Sequence, residues 1–184
     1  MRLFTAIALP GEIRDKLDSL VHDLRPTAKI KWSRAENLHV TTKFIGEWPA
    51  ARLEELTAAL RRLAPREPIA ISVRGVGWFP NARAPRVFWA GVEAGPGLAA
   101  LARDTDSELG RLGIERERRK FSPHLTLARI RNPASLERLT RAVEALPASE
   151  FGSFTADRFH LYLSELRPSG AVYTSLAEFP FQRS

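Results

Sequence analysis

The chain has 184 residues, a formal net charge of +7 and no cysteine, which excludes disulfides, thiolate metal sites and a cysteine nucleophile. With 44% hydrophobic and 27% charged residues the composition is that of a folded globular chain, neither disordered nor membrane-spanning. The positive charge attracts polyanions without specifying any chemistry.

Residues 2–9 set Leu3, Thr5, Ile7 and Leu9 against Phe4, Ala6 and Ala8, which predicts a strand buried on both faces. This apolar run stops at Pro10-Gly11-Glu12, too short for a signal-peptide core. Nowhere do roughly 20 apolar residues run together as a membrane span requires, so a cytoplasmic location is expected. Ile13, Leu17, Leu20, Val21 and Leu24 fall on one helical stripe, with Pro10 placed to start the helix and Pro26 to end it. A second helix follows Pro49 with Leu53, Leu56, Leu60 and Leu63 on one face. A third runs through Leu98, Leu101, Leu109 and Leu112 to Gly113, and a fourth uses Leu136, Leu139, Val143 and Leu146 between Pro133 and Pro147. Segments 38–45, 69–79, 86–93, 124–130, 156–164 and 171–179 are rich in β-branched and aromatic residues and read as strands. Their irregular alternation with helices predicts an α+β fold with antiparallel or mixed sheets. Gly95-Pro96-Gly97 is the candidate junction between halves. No low-complexity linker marks a domain boundary, so residues 1–184 read as one bilobal unit.

Asn37-Leu38-His39-Val40-Thr41-Thr42 is echoed by Ser122-Pro123-His124-Leu125-Thr126-Leu127. Residues i and i+2 of a strand share a face, so His39 projects with Thr41 and His124 with Thr126, while the intervening apolar residues anchor the opposite face. One His-x-Thr is a weak signal; two, in matching strands of a chain with four histidines, are a strong one, and suggest lobes related by a pseudo-twofold. Opening a cyclic phosphodiester needs water deprotonated on one side and the departing oxygen protonated on the other. Histidine, with an ordinary pKa of about 6.5, supplies either form near neutrality. Threonine hydroxyls can donate to the non-bridging phosphoryl oxygens, and no metal is required where such donors are preorganised.

With both motifs in view, the chain resembles the two-histidine (2H) phosphoesterases, above all the bacterial RNA 2′,3′-cyclic phosphodiesterases, also called 2′-5′ RNA ligases. The likeness rests on Lys31-Trp32, on Glu36-Asn37-Leu38-His39-Val40-Thr41-Thr42-Lys43-Phe44-Ile45-Gly46 and on Phe121-Ser122-Pro123-His124-Leu125-Thr126-Leu127-Ala128-Arg129. The opening strand and Phe79-Pro80 extend it over nearly the whole chain. It implies two antiparallel or mixed sheets with flanking helices and a cleft between the lobes holding both His-x-Thr pairs. It also implies hydrolysis of RNA 2′,3′-cyclic phosphate ends to 2′-phosphates without metal or cofactor, with His39 as acid and His124 as base. A 5′-hydroxyl in place of water gives ATP-independent 2′-5′ ligation. The implied partners are RNA with 2′,3′-cyclic phosphate or 2′-phosphate ends, and nucleotides, with the protein acting as a monomer. The resemblance further assigns Thr41, Thr126 and Arg129 to the phosphate, and Phe44 and Phe121 to nucleobase or RNA contact. Strict alternation, however, turns Arg129 away from His124 and Thr126, and Phe44 away from His39, so the first role requires Arg129 to come round a strand end. Thr42 stands where the family commonly has leucine; facing the core, it bears on packing rather than chemistry.

His22 reads as a surface histidine and His160 as a partly buried structural one. The run Glu115-Arg116-Glu117-Arg118-Arg119-Lys120 is either an RNA-phosphate contact or a solvated loop. Among Trp32, Trp78, Phe79 and Trp89, at most one tryptophan is expected to stack a base. Asn81, Arg83 and Arg86 fall in a predicted hairpin loop bordering the cleft. No zinc signature, phosphate-binding Gly-x-x-x-x-Gly-Lys loop or Gly-x-Gly-x-x-Gly occurs. The alternative readings are a phosphodiesterase for small cyclic nucleotides or 2′-5′ oligonucleotides, and a non-catalytic nucleotide- or RNA-binding module.

Overall fold

The computed structural model describes residues 1–132 and 135–182. Two antiparallel sheets share one core. The first has the order β3-β1-β8-β9 and is built from β1 (Arg2–Ala8), β3 (His39–Glu47), β8 (Arg158–Arg167) and β9 (Gly170–Pro180). The second has the order β2-β6-β5-β4-β7, from β2 (Lys31–Trp32), β4 (Ile69–Phe79), β5 (Val87–Ala94), β6 (His124–Arg129) and β7 (Glu150–Ala156). Four helices, α1 (Gly11–Leu24), α2 (Leu53–Arg61), α3 (Pro96–Gly110) and α4 (Glu137–Glu144), complete the α+β fold. Both sheets draw strands from each side of Gly95-Pro96-Gly97.

α1 follows β1 of the first sheet yet packs on β7 of the second, and α3 follows β5 of the second yet packs on β3 of the first. These crossings merge the two sheets into one hydrophobic cluster. Leu3, Ile7, Val40 and Leu161 enter it from the first sheet and Ile71, Phe88, Leu125 and Leu127 from the second. β1 is central and buried on both faces, as its apolar alternation requires. Leu3 and Ile7 face the shared core, while Phe4 and Ala6 face a smaller cluster with Tyr162.

The segment 156–164 straddles two strands that meet at Asp157. β7 escaped the sequence reading because it is an edge strand whose Glu150, Ser153 and Thr155 are polar and exposed, with no regular apolar alternation. The fourth helix begins at Glu137; Pro133, its expected start, lies outside the described residues.

Thr42 faces the core as expected. Its Oγ1 lies 2.8 Å from Oγ1 of the fully buried Thr5, one hydroxyl donating to the other. Thr42→Val leaves the Thr5 hydroxyl unpartnered and should cost about 1–3 kcal/mol. The double change Thr5→Val/Thr42→Val removes both polar groups and should recover most of that loss in a thermal melt.

Candidate active site

β3 and β6 pack against each other where the two sheets meet. Leu38, Val40, Leu125 and Leu127 are buried in the shared core. His39, Thr41, His124 and Thr126 are half-buried on the opposite faces of their strands. Both His-x-Thr pairs therefore lie outside the core that holds their strands rigid, on two strands that pack together at one seam.

Both imidazoles are fixed in the same way. His39 Nδ1 lies 2.9 Å from the Asn37 carbonyl and His124 Nδ1 lies 2.8 Å from the Ser122 carbonyl, in each case two residues upstream. A carbonyl oxygen only accepts, so Nδ1 carries the hydrogen in both rings. Each Nε2 is then the ring atom left free to accept or to donate a proton.

The strands share a second feature that strict alternation hides. In β3, Ala6 pairs with Thr41 but Thr5 pairs with Lys43, so Thr42 is an extra residue. In β6, Trp89 pairs with Thr126 but Phe88 pairs with Ala128, so Leu127 is extra. Each is a β-bulge, and it reverses the alternation beyond it. Phe44 pairs with Phe4, and Arg129 with Val87. Residues directly opposite share a face, so Phe44 returns to the face of His39, and Arg129 to that of His124 and Thr126. The break in alternation lies inside the strand rather than at its end. The burial sequence of the first six residues is identical in the two strands.

The surroundings of the two histidines differ. His39 lies in an aromatic nest, its ring centroid 4.4 Å from Tyr162, 5.7 Å from Tyr173 and 6.2 Å from Phe4. Phe44 is 66% exposed and lies 6.3 Å from Phe4. Desolvation pushes the His39 pKa down to about 4; the Asn37 carbonyl opposes this, and the charges of His160 and Arg14 add to it. His124 meets Phe79 edge-to-face at 5.0 Å, and Phe79 meets Trp89 at 5.3 Å. Trp89 lies across Gly77, where a Cβ would come within 2.2 Å of its indole, so glycine is required there.

Phe121 is half-buried against the core, as are Trp32 and Trp78, which also contact Phe88. Trp32 Nε1 donates to the Ala28 carbonyl. Arg116, from the basic run, is held by Asp106. His22 is exposed on α1. His160 is 8% exposed, with Nδ1 3.2 Å from Ser175 Oγ, yet it lies on the His39 face of its sheet, opposite Ala6. Sequence reasoning missed Tyr162, Tyr173 and Arg14. Alternation within 156–164 already put Tyr162 on one face with His160, but nothing said that this strand lies beside β1.

Over residues 7–89 and 92–173 the chain matches the family described as LigT-like phosphoesterase. The RNA 2′,3′-cyclic phosphodiesterase of Methanothermobacter thermautotrophicus is 35% identical over 181 residues, covering 97% of this chain and 98% of that protein. Among solved structures, TT0787 of Thermus thermophilus superposes with a TM-score of 0.84 at 35% identity, covering 100% of this chain and 99% of that one. LigT of E. coli complexed with 3′-AMP gives 0.79 at 29% identity, covering 99% and 98%. With both His-x-Thr strands on one seam and likeness over essentially its full length, the chain belongs to the LigT-like phosphoesterases of the two-histidine superfamily.

Proposed function

We propose that this protein hydrolyses RNA 2′,3′-cyclic phosphate ends to 2′-phosphates, with His39 and His124 as its acid–base pair and the whole chain acting as one bilobal unit. The observation that carries this reading is the matched locking of both Nδ1 atoms by upstream carbonyls on two adjacent strands. In the reaction, His124 Nε2 accepts a proton from water as the water oxygen bonds to phosphorus. The P–O3′ bond breaks and O3′ takes the proton from His39 Nε2, leaving a 3′-hydroxyl and a 2′-phosphate. Thr41 and Thr126 donate to the non-bridging oxygens, with Arg129 beside them, and Phe44 lies under the terminal base. A 5′-hydroxyl replacing water gives 2′-5′ ligation at the same site. Nucleotides are further ligands, and the protein acts as a monomer in the cytoplasm; no described helix is long and apolar enough to cross a membrane.

The acid role of His39 has to be reconciled with its low proton affinity in the empty cleft. A bound phosphodiester carries one negative charge. At about 4 Å and an effective dielectric of about 20 it favours the charged ring by about 4 kcal/mol, close to three pKa units at about 1.4 kcal/mol each. The substrate thus brings its own acid back to the neutral range. The sign is testable. Free His39 holds no proton between its depressed pKa of about 4 and the ordinary value of about 6.5, so anion binding near pH 6 takes one up. A 3′-5′ dinucleotide, whose diester does not titrate there, should show uptake approaching one proton by calorimetry in two buffers. His39→Ala should abolish it, and zero uptake by wild type would reverse the two roles.

The reading is tested by incubating RNA ending in a 2′,3′-cyclic phosphate with the protein and EDTA. A 2′-phosphate product is expected, in preference to turnover of small cyclic nucleotides. Absence of product, or its loss on chelation, would overturn the proposal.

A further inference from the structure

The bulge in β6 has a second consequence. Arg129 not only returns to the face of His124; it also pairs directly with Lys31 of β2. Two exposed cations thus stand opposite each other on one face, an arrangement that destabilises an antiparallel pair unless an anion intervenes. Arg131 is exposed two residues further, just past the end of β6 and beyond the buried Ile130. Arg86 holds this end in place: its Nη1 donates to the Arg131 carbonyl at 2.8 Å, and its own carbonyl accepts from the Ile130 N–H. No described carboxylate lies within 4 Å of any of these four side chains, whereas Arg52, Arg74 and Arg158 elsewhere on the surface all have acidic partners.

The equivalent position on the other strand is Phe44, in a row with Phe4 and Tyr162. The two sides of the seam are therefore built alike but finished differently, aromatic beside His39 and cationic beyond His124. At about 3.3 Å per residue, Arg129 begins roughly 15 Å along the strand from His124. A single reacting phosphate engages at most the tip of Arg129, which leaves the outer cations for phosphates further along a chain.

We infer that Lys31, Arg129 and Arg131 form a track for the phosphodiester backbone of single-stranded RNA, running outward from the reaction centre over the end of β6. This rests on the reading of the site as an RNA cyclic phosphodiesterase. The phosphates come either from the body of the strand bearing the cyclic end or from a second strand offering a 5′-hydroxyl.

The test uses Lys31→Gln/Arg131→Gln in the full chain, leaving Arg129 and the seam intact. Turnover of a 2′,3′-cyclic mononucleotide should stay within about twofold of wild type, because one phosphate does not reach the outer cations. Binding of a fluorescent oligonucleotide ending in a 2′-phosphate should weaken roughly 2- to 30-fold, the range spanned by two exposed ion pairs. Its salt dependence should flatten by about 1.4 in log–log slope, about 0.7 for each single-strand phosphate that is no longer neutralised. A raised KM for hydrolysis of the cyclic-ended oligonucleotide assigns the track to that strand's own body. A raised KM confined to the 5′-hydroxyl strand in ligation assigns it to the incoming strand. Equal binding and equal salt slopes for variant and wild type, with the 2′-phosphate oligonucleotide and with a 5′-hydroxyl oligonucleotide alike, would overturn the inference. The anisotropy measurement needs no turnover, so a wild-type protein without phosphodiesterase activity would sink the functional reading separately.

Discussion

His124→Ala should lower kcat on RNA ending in a 2′,3′-cyclic phosphate by about 10²–10⁴-fold, the usual contribution of one general acid or base, and His39→Ala should do the same. The expectation follows from the locked tautomers: with Nδ1 committed to a carbonyl in each ring, Nε2 is the only atom free to move a proton. Both protons move in one transition state, so the double variant should fall well short of the product of the two losses. Neither ring belongs to the shared core, so the melting temperature should change little. Lost activity with an intact melt separates chemistry from folding. Full activity in His124→Ala, at any pH, would contradict the mechanism.

Asp106→Ala should be the most damaging change to stability outside the hydrophobic core. Lys43 sits in the bulge of β3, on the core side, with its side chain only 5% exposed. Its Nζ donates to Asp106 Oδ1 and to the Glu115 carbonyl, both at 2.6 Å. Asp106 also accepts from Arg116 Nε at 2.6 Å and the Glu117 N–H at 2.8 Å. Desolvation pulls the Asp106 pKa upward, but Lys43, the Glu117 N–H and Arg116 outweigh it and hold the carboxyl below its ordinary range. Removing the carboxylate strands a buried ammonium, which costs about 3–5 kcal/mol, or roughly 2–4 °C of melting temperature per kcal/mol in a chain of this size. It also unties the segment from Glu115 to Glu117 that leads into the second motif, so activity should fall with stability. Lys43→Met/Asp106→Leu replaces the pair with apolar groups and should regain most of the stability. A single variant that melts like wild type would show the pair to be idle.

The two His-x-Thr pairs were legible in the sequence because the motif occurs twice in strand context, and alternation alone places each imidazole beside its hydroxyl. The helices were legible from apolar stripes and from prolines at their ends. Phe44 and Arg129 were not, because alternation assumes an unbroken ladder, and a bulge is set by the register with a neighbouring strand. The hint lay in comparing the two motifs position by position: Thr42-Lys43-Phe44 and Leu127-Ala128-Arg129 stand at the same distance from their histidines, so whatever turned one outward turned the other. Tyr162 and Lys43 depend on which strands and helices become neighbours. The crossing of α1 and α3 between sheets decides that, and local periodicity carries no trace of it. His160 reads as a structural histidine in sequence, but its sheet position puts it close enough to weigh on the electrostatics of His39.

The most direct measurement is a crystal structure of the protein with its product, a nucleoside 2′-phosphate, bound. Nε2 of His39 and Nε2 of His124 should each lie within about 2.6–3.2 Å of an oxygen of that one nucleotide, on opposite sides of the phosphorus, with a threonine hydroxyl next to each ring. A phosphate seated elsewhere, or touched by one imidazole while the other faces away, would contradict the account.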